Sequence, residues 1–351
     1  MHRRLVVAAG LLLGLLGLLA PCAAGEPGGR LEMIWPARLK PGDTVAIVGP
    51  AGPVERDQIM VFKQRVEERG YHVKFDDELF TVDGYLAGSD ERRAKELMAA
   101  FTDPEADAVL AARGGYGAMR ILDRLDYDAI RANPKVFIGF SDITALHAAF
   151  NRKAGLVTFH GPGPASGLGK PEGPTDFTKQ HLIMALEEGA VLQSGAYEIE
   201  VPEDVMKVKT FGQGKARGRL VGGNLSLISA LEGTPYSIDA DGAILLVEDV
   251  SEAAYRIDRM LRQLKLAGKL DQIRGAVLGQ FTDSTAREDK LTDDPRFSVD
   301  GVLEQYFKDA GIPVLVNYPV GHFKQNCTLP LGGQVEVDAD KGVLRVLGPK
   351  G

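Results

Sequence analysis

The residue whose setting most clearly indicates chemistry is Ser141. An apolar run over residues 135–138 predicts a buried strand that stops at Gly139, and residues 142–150 predict a helix. A serine on a sharp turn between a strand and a helix has the geometry of a nucleophile elbow, which exposes the hydroxyl beside the free N–H groups of the helix start. Those groups could stabilise a developing oxyanion. The alternative is an N-cap serine, because Ile143 stands where G-x-S-x-G has its second glycine.

A serine hydroxyl is a weak nucleophile unless a base takes its proton, and that base needs a group that orients it. Two of the six histidines follow predicted strands. His160 is at a strand end in Thr158-Phe159-His160-Gly161-Pro162, and His322 is in a loop after an apolar run at residues 314–316. The residues alone leave these two as equal candidates for the base. For each, a hydrogen-bonded loop histidine is the ordinary alternative.

The best candidate for the orienting acid is Glu248. It follows the apolar run 243–247, so a carboxylate stands where a buried strand is predicted to stop. A solvated carboxylate at a strand end is the ordinary alternative, and Asp249 and Glu252 are nearby competitors. The order serine, acid, histidine is that of the α/β hydrolases, which is an analogy because unrelated folds use other orders.

Predicted strands and helices alternate along the first half of the chain. The strands fall at residues 43–48, 72–75 and 106–111, and the helices at 57–69, from 89 through 101, and at 118–125. Repeated βα units predict a parallel sheet covered by helices. Catalytic groups of such sheets collect at the carboxyl ends of the strands, where Gly114, Gly115 and Ser141 would lie.

The character of the chain changes after residue 160. A Gly- and Pro-rich loop follows, and from about residue 200 short predicted strands dominate, with helices between them. We therefore predict an α/β protein with an N-terminal parallel-sheet βα domain at residues 33–165 and a linker at 166–199. A smaller, β-rich α/β domain would occupy residues 200–351.

Charge and the N-terminal segment limit the partners and the location. The chain has 41 Lys and Arg against 48 Asp and Glu, and no dense basic run follows residue 30, which argues against nucleic acid. Basic residues 3–4, an apolar run at 5–19 and small residues at 20–25 predict a signal peptide over residues 1–25 and export to the periplasm. The apolar run is short for a stable membrane span. Cys22 resembles a lipidation site, but Pro21 fits that motif poorly, so we predict simple cleavage.

Six short blocks of sequence, which follow one another along the chain, contain Ser141, Glu248 and the two candidate histidines. They are RGGYG at 113–117 with 120–122, IGFSDITALH at 138–147, TFHGP at 158–162, LVGGNL at 220–225, LVED at 246–249 with YRIDRML at 255–261, and GH at 321–322 with TLPLG at 328–332. In this order the blocks resemble the LD-carboxypeptidases, a family of serine peptidases. The resemblance covers about residues 35–350.

The resemblance implies an activity and a site. The nucleophile would be Ser141, the acid Glu248 and the base His322, in a cleft between two domains of a protein that is commonly a homodimer. The implied reaction hydrolyses the amide between the L-configured centre of a diamino acid and the terminal D-alanine of a peptidoglycan tetrapeptide. No metal and no organic cofactor would be needed.

The reaction also needs donors that stabilise the oxyanion and a cation that binds the substrate carboxylate. The backbone N–H groups of Gly115 and Asp142 are candidates for the oxyanion hole, because glycine permits close approach and Asp142 follows the nucleophile at the helix start. The substrate carboxylate needs a cation, which Arg113 or Arg256 could supply. Either arginine could instead hold the two domains together.

Two other functions remain open on this scaffold. A sister hydrolase could open an amide in a peptide-nucleotide antibiotic and confer self-immunity, and a purine-stacking aromatic near the cleft would favour it. The single tryptophan, Trp35, lies near the predicted mature N-terminus and is no clear candidate. A non-catalytic protein that binds wall peptides would be favoured by a missing member of the triad, and none is missing.

Overall fold

The structure is a computed structural model that describes residues 30–187, 195–284 and 294–349. The predicted signal peptide and Cys22 lie outside these residues. From Leu31 onward the chain forms one compact unit. Within the described ranges, no helix is both long enough and apolar enough to cross a membrane. The predicted α/β class is confirmed, and the strands form two sheets.

The first sheet has six strands. They are β1 (Thr44–Val48), β2 (His72–Lys74), β3 (Ala108–Ala111), β4 (Val136–Gly139), β5 (Thr158–His160) and β12 (Leu329–Leu331). Their spatial order is β12-β5-β4-β3-β1-β2. β1 to β5 pair in parallel, as the alternating pattern predicts. β12 runs antiparallel to β5, so the C-terminal part of the chain completes this sheet.

Helices follow most strands of this sheet. They are α1 (Arg56–Glu67), α2 (Asp90–Thr102), α3 (Tyr127–Ala132), α4 (Thr144–Ala149) and α5 (Asp176–Leu186). Ser89 caps α2 by accepting a hydrogen bond from the Arg92 N–H at 3.2 Å, as its position before the helix predicts. The predicted helix at 118–125 is a 3₁₀ helix, Ala118–Arg124.

The second sheet has eight strands. They are β6 (Tyr197–Ile199), β7 (Lys209–Phe211), β8 (Lys215–Asn224), β9 (Ile244–Val250), β10 (Gly275–Thr282), β11 (Val314–Val316), β13 (Gln334–Asp338) and β14 (Val343–Val346). The order is β6-β14-β13-β8-β9-β10-β11-β7, with β8 to β11 parallel. The helices of this part are α6 (Leu225–Ala230), α7 (Ala254–Leu266), α8 (Lys269–Gln272) and α9 (Val299–Phe307).

The core explains why the two sheets form one unit. Successive residues of a strand point to opposite faces, and both faces of β4 and β9 are buried. Phe137 and Leu245 therefore belong to one buried cluster, whereas Ile138 and Leu246 belong to the other. Burial on both faces is also why these strands have continuous apolar sequences. Cys327 is buried in the second cluster, as expected for a small apolar residue.

Candidate active site

Ser141 lies on a tight turn between β4 and α4. β4 ends at Gly139, and a short 3₁₀ helix, Ser141–Ile143, leads into α4. The φ angle of Ser141 is 64°, in the left-handed region that costs a non-glycine residue about 1–3 kcal/mol. A Cβ at Gly139 would come within 2.8 Å of Ile143 Cγ2. Ile143, which replaces the usual second glycine, therefore packs onto Gly139 and helps to hold the strained turn.

His322 and Glu248 complete a line of hydrogen-bonded side chains with Ser141. His322 Nε2 lies 2.9 Å from Ser141 Oγ, and His322 Nδ1 lies 2.7 Å from Glu248 Oε2. With the proton on Nδ1, His322 donates to Glu248 and accepts the hydroxyl proton of Ser141 at Nε2. The structure therefore brings together the three side chains that were predicted from the sequence to be nucleophile, acid and base.

Three separate elements supply these side chains. Ser141 comes from the turn after β4, Glu248 from β9, and His322 from the loop between β11 and β12. β9 continues to Val250, so Glu248 lies inside the strand rather than where the apolar run stops. Its neighbour across the ladder is Asn224 on β8. The carboxylate is therefore positioned by regular sheet structure.

Burial and charge set the protonation states of this pair. Burial alone would raise the pKa of Glu248, but its interactions with His160 and His322 outweigh burial and hold the pKa below its ordinary value. Burial alone would lower the pKa of His322, but the hydrogen bond and the charge of Glu248 raise it above its ordinary value. Glu248 is thus ionised at neutral pH and stabilises a positive charge on His322.

The raised pKa of His322 predicts where activity is lost in acid. Only the neutral imidazole can accept a proton, so kcat/KM should fall as the pH drops through a pKa above the ordinary histidine value. Glu248→Gln removes the negative charge that raises the pKa of His322 and should move this acid limb to lower pH. The check is kcat/KM measured against pH for both proteins. An acid limb that stays in place in the variant would assign the titration to another group.

The predicted oxyanion donors have no competing acceptor among the described residues. In the described part of the chain, neither the Gly115 N–H nor the Asp142 N–H donates a hydrogen bond to the protein. The Asp142 carboxylate accepts from the N–H of Ala118, which directly follows the glycine loop of residues 113–117, at 2.8 Å and so ties this loop to the turn that carries Ser141. Neither N–H is therefore committed to a partner within the described ranges.

Ser141 and Gly115 lie at a cavity of about 260 Å³, whereas Asp142 is not one of its lining residues. Its lining includes Gly114, Gly115, Ser141, His322 and Arg113. A reacting carbonyl in this cavity would lie near the Ser141 hydroxyl and Gly115, and Asp142 N is close to the lining residue Gly114, at 3.2 Å from the position of a Cβ there. Among the described residues, no group of three His, Cys, Asp or Glu side chains could hold a metal ion.

Adding one methyl group at Gly114 should obstruct this cavity. A Cβ there would lie 2.9 Å from Ser141 Cβ and 3.2 Å from Asp142 N, where the oxyanion would be bound. We expect Gly114→Ala to lower kcat by about 100-fold or more, as does the loss of one oxyanion donor. Gly214→Ala is the control for a loss of stability away from the cavity, since its Cβ meets nothing within 4 Å and its φ of 76° strains any side chain there. Equal kcat in the two variants would contradict this location of the oxyanion.

The two predicted carboxylate-binding arginines lie in different places. Arg113 lines the cavity, is exposed, and donates to the Pro53 carbonyl at 3.0 Å. Arg256 is on α7, 3.5 Å from Glu252, and does not line the cavity formed by the described residues. Arg113 is therefore the better placed of the two to meet a carboxylate beside Ser141.

The competitors of Glu248 and His322 have other partners or positions. Asp249 accepts hydrogen bonds from the Asn224 side chain and from Ser226, both at the start of α6. Glu252 is paired with Arg256. His160 is completely buried. Its Nε2 lies 3.8 Å from Glu248 Oε1, whereas His322 contacts the other carboxylate oxygen, Oε2. The structure thus places His160 behind the acid rather than beside Ser141.

One supporting residue escaped the sequence analysis. Arg93 of α2 is fully buried, is paired with Asp90, and donates to the carbonyls of Pro50 and Gly117. It therefore holds the glycine loop from behind. The signal was available, because Arg93 lies four residues before the buried Leu97 and so on the apolar stripe of the helix.

The site and the comparison with known sequences define the class: the chain is a serine-type peptidase. It belongs to the LD-carboxypeptidase family, whose model for the N-terminal domain matches residues 45–161 and whose model for the C-terminal domain matches residues 217–337. The family suggested by the six sequence blocks is confirmed.

Three known proteins illustrate the relationship. A probable murein peptide carboxypeptidase of Bacillus subtilis is 38% identical, over 86% of this chain and 91% of the relative. The murein tetrapeptide carboxypeptidase of Pseudomonas aeruginosa is 32% identical, over 85% of this chain and 94% of the relative. The solved structure of the microcin C7 self immunity protein MccF is 27% identical with a TM-score of 0.80, over 90% of this chain and 98% of that one.

Proposed function

We propose that this protein is a serine LD-carboxypeptidase of peptidoglycan tetrapeptides. It would hydrolyse the amide between the L-centre of the diamino acid and the terminal D-alanine, through an acyl-enzyme on Ser141. The observation that carries the proposal is the hydrogen-bonded line from Ser141 through His322 to Glu248, beside a cavity that Gly115 and Ser141 line. The names of the murein-peptide relatives support the substrate class.

The geometry supports a two-step reaction. His322 takes the hydroxyl proton, and Ser141 Oγ attacks the carbonyl that precedes D-alanine. The N–H groups of Gly115 and Asp142 receive the oxyanion. His322 then gives its proton to the leaving amine of D-alanine, and the amide bond breaks. In the second step His322 activates a water molecule, which hydrolyses the ester and restores the Ser141 hydroxyl. Every step uses side chains or N–H groups of this chain, with no metal or organic cofactor.

A carboxypeptidase must also recognise the free carboxylate of its substrate. Arg113 stands at the cavity, and its planar guanidinium can bind a carboxylate through two parallel hydrogen bonds. Within the described ranges its guanidinium donates one hydrogen bond, to the Pro53 carbonyl, which leaves other N–H groups to bind the substrate. We assign this role to Arg113 in preference to Arg256.

The test is to incubate the purified protein with wall tri-, tetra- and pentapeptides and to follow the products by mass. The tetrapeptide should lose one alanine, whereas a tetrapeptide that ends in L-alanine should remain intact. Ser141→Ala is the control for contaminating peptidases. Binding without cleavage would support the non-catalytic protein that binds wall peptides, and cleavage of the L-alanine peptide would contradict the stereochemistry.

A second function is favoured by the likeness to the MccF structure and by one surface feature. Tyr116 follows Gly115 directly, is about half exposed, and lies edge-on to Tyr85 with the ring centroids 5.5 Å apart. Such a ring could stack on a purine, whereas Trp35 packs against Phe159 and Gly333. An aminoacyl-sulfamoyl adenosine included in the same assay tests a self-immunity hydrolase. Faster turnover of this compound than of the tetrapeptide would favour that function.

We also propose that the protein is exported to the periplasm and acts as a homodimer. The basic residues 3–4 and the apolar run 5–19 support export. Mass analysis of the protein from native cells should give an N-terminus near Gly25 or Glu26. An intact Met1 would contradict export with cleavage, and a diacylglyceryl group on Cys22 would show a lipoprotein instead. Light scattering of the purified protein tests the dimer.

A further inference from the structure

Behind the line from Ser141 to Glu248 lies a second buried histidine. Glu248 is completely buried, and its Oε1 has no hydrogen-bond partner among the described residues, whereas Oε2 binds His322. His160 is also completely buried, and neither of its ring nitrogens has a partner in the same ranges. His160 Nε2 lies 3.8 Å from this unpaired oxygen. A buried carboxylate is costly unless it is hydrogen-bonded.

The surroundings of Glu248 are packed closely by backbone. A Cβ at Gly321 would lie 2.5 Å from Glu248 Oε2, and one at Gly279 would lie 3.0 Å from Glu248 Cβ. These two glycines let the chain close over the carboxylate and exclude solvent from it. Glu248 therefore depends on side-chain donors to stay ionised.

The other titratable groups around this carboxylate have separate partners. His322 faces Oε2, and Asp249, next in the strand, is held by Asn224 and Ser226. His147 Nε2 lies 2.9 Å from the Gly139 carbonyl, and its ring centroid is 6.4 Å from that of His160. His160 is thus the side chain that is placed to serve Oε1.

We propose that His160 is a positioning residue for the acid of the site. In the tautomer with the proton on Nε2, it donates toward Glu248 Oε1, fixes the plane of the carboxylate and so orients His322. This inference rests on the proposed role of Glu248 in catalysis. The separation exceeds a direct hydrogen bond, and catalytic hydrogen bonds that are long without substrate often shorten in the reacting complex.

The N–H of His160 should also change the pKa of His322 through its effect on Glu248. A carboxylate that shares its charge with His160 is a weaker acceptor for His322 than one without this donor. Loss of the donor should therefore raise the pKa of His322 and move the acid limb of kcat/KM to higher pH. A purely structural role would lower the amount of folded enzyme without moving that limb.

The experiment compares His160→Met with His160→Gln. Glutamine keeps an N–H donor near the position of Nε2, whereas methionine fills similar space without a donor. We expect His160→Met to lower kcat/KM at neutral pH by about 10- to 100-fold, the change expected for the loss of a charge-assisted hydrogen bond. In the methionine variant the acid limb of kcat/KM should move to higher pH by about 1 pH unit. In the glutamine variant it should stay near its wild-type position.

His181→Met is the matched control for replacing a buried histidine. His181 is buried and lies 2.8 Å from the Phe177 carbonyl within α5. This variant should lower the melting temperature without moving the acid limb. An acid limb that shifts equally in the methionine and glutamine variants of His160, or in neither, would overturn the proposal.

Nitrogen NMR of the wild-type protein gives a test that needs no variant and no substrate. The proposal requires the neutral tautomer of His160 to carry its proton on Nε2, so a proton on Nδ1 would overturn it even if His160→Met does not fold. Titration of His322 by the same method separates the two proposals. A pKa shift in His160→Met without any peptide cleavage by wild type would refute the proposed function and keep the positioning role.

Discussion

Replacing Ser141 by alanine should abolish turnover while the fold and peptide binding remain nearly unchanged. Only Oγ is lost, and alanine retains the Cβ that packs near Gly114. The loss of kcat should be about 10⁴-fold or more, since the base and the oxyanion donors have no nucleophile to act on. The measurement is the rate of alanine release, together with the melting temperature and peptide affinity.

An acyl-enzyme offers a second measurement of the same prediction. Wild-type protein quenched in acid during turnover should carry the mass of the tripeptide acyl group, and Ser141→Ala should not. Ser229→Ala is a suitable control, because the hydroxyl of this buried serine donates a hydrogen bond to Gln263 on α7, away from the cavity. Near-normal turnover by Ser141→Ala would remove Ser141 from the mechanism.

Local sequence patterns were sufficient to predict the class of fold and the turn that carries Ser141. The βα alternation is a local signal, and so is a serine between an apolar run and a helix. β12 could not be found in this way. It is a three-residue edge strand with Pro330 at its centre, and proline is tolerated in sheets mainly at edges. Its pairing with β5 is set by the tertiary fold.

For the partners of Ser141, too, local sequence patterns predicted one part of the arrangement and the tertiary fold determines the rest. His322 is 181 residues away along the chain, and the spacing gave no reason to prefer it over His160. What brings His322 close is the parallel order of β9, β10 and β11, which gathers the ends of these strands at one edge. The pattern of residues predicted the strands but not their order in the sheet. The resemblance to a known family supplied the preference for His322.

The contact between His160 and Glu248 is the least predictable part of the site. His160 ends β5 of the first sheet, and Glu248 lies in β9 of the second. Their approach depends on how two sheets pack, which no local pattern encodes. The sequence indicated only that both residues stand beside buried strands, so His160 remained an alternative base.

His322→Ala should cost about as much activity as Ser141→Ala, and the double variant should cost little more than either single one. Parts of one catalytic unit are not additive, because removal of the base or of the nucleophile disables the same step. Glu248→Gln should cost less than either, since Ser141 and His322 remain in place. The measurement is kcat/KM of the three single variants and the double variant with the same tetrapeptide.

The outcome of this cycle decides between a triad assembled from both sheets and other arrangements. Ser141 belongs to the first sheet and Glu248 to the second, so the geometry of the site depends on their packing. Independent, additive losses for Ser141 and His322 would mean that they do not act on one proton transfer. If His160→Ala abolished turnover and His322→Ala did not, His160 would be the base. The 2.9 Å contact between His322 Nε2 and Ser141 Oγ leads us to expect the opposite.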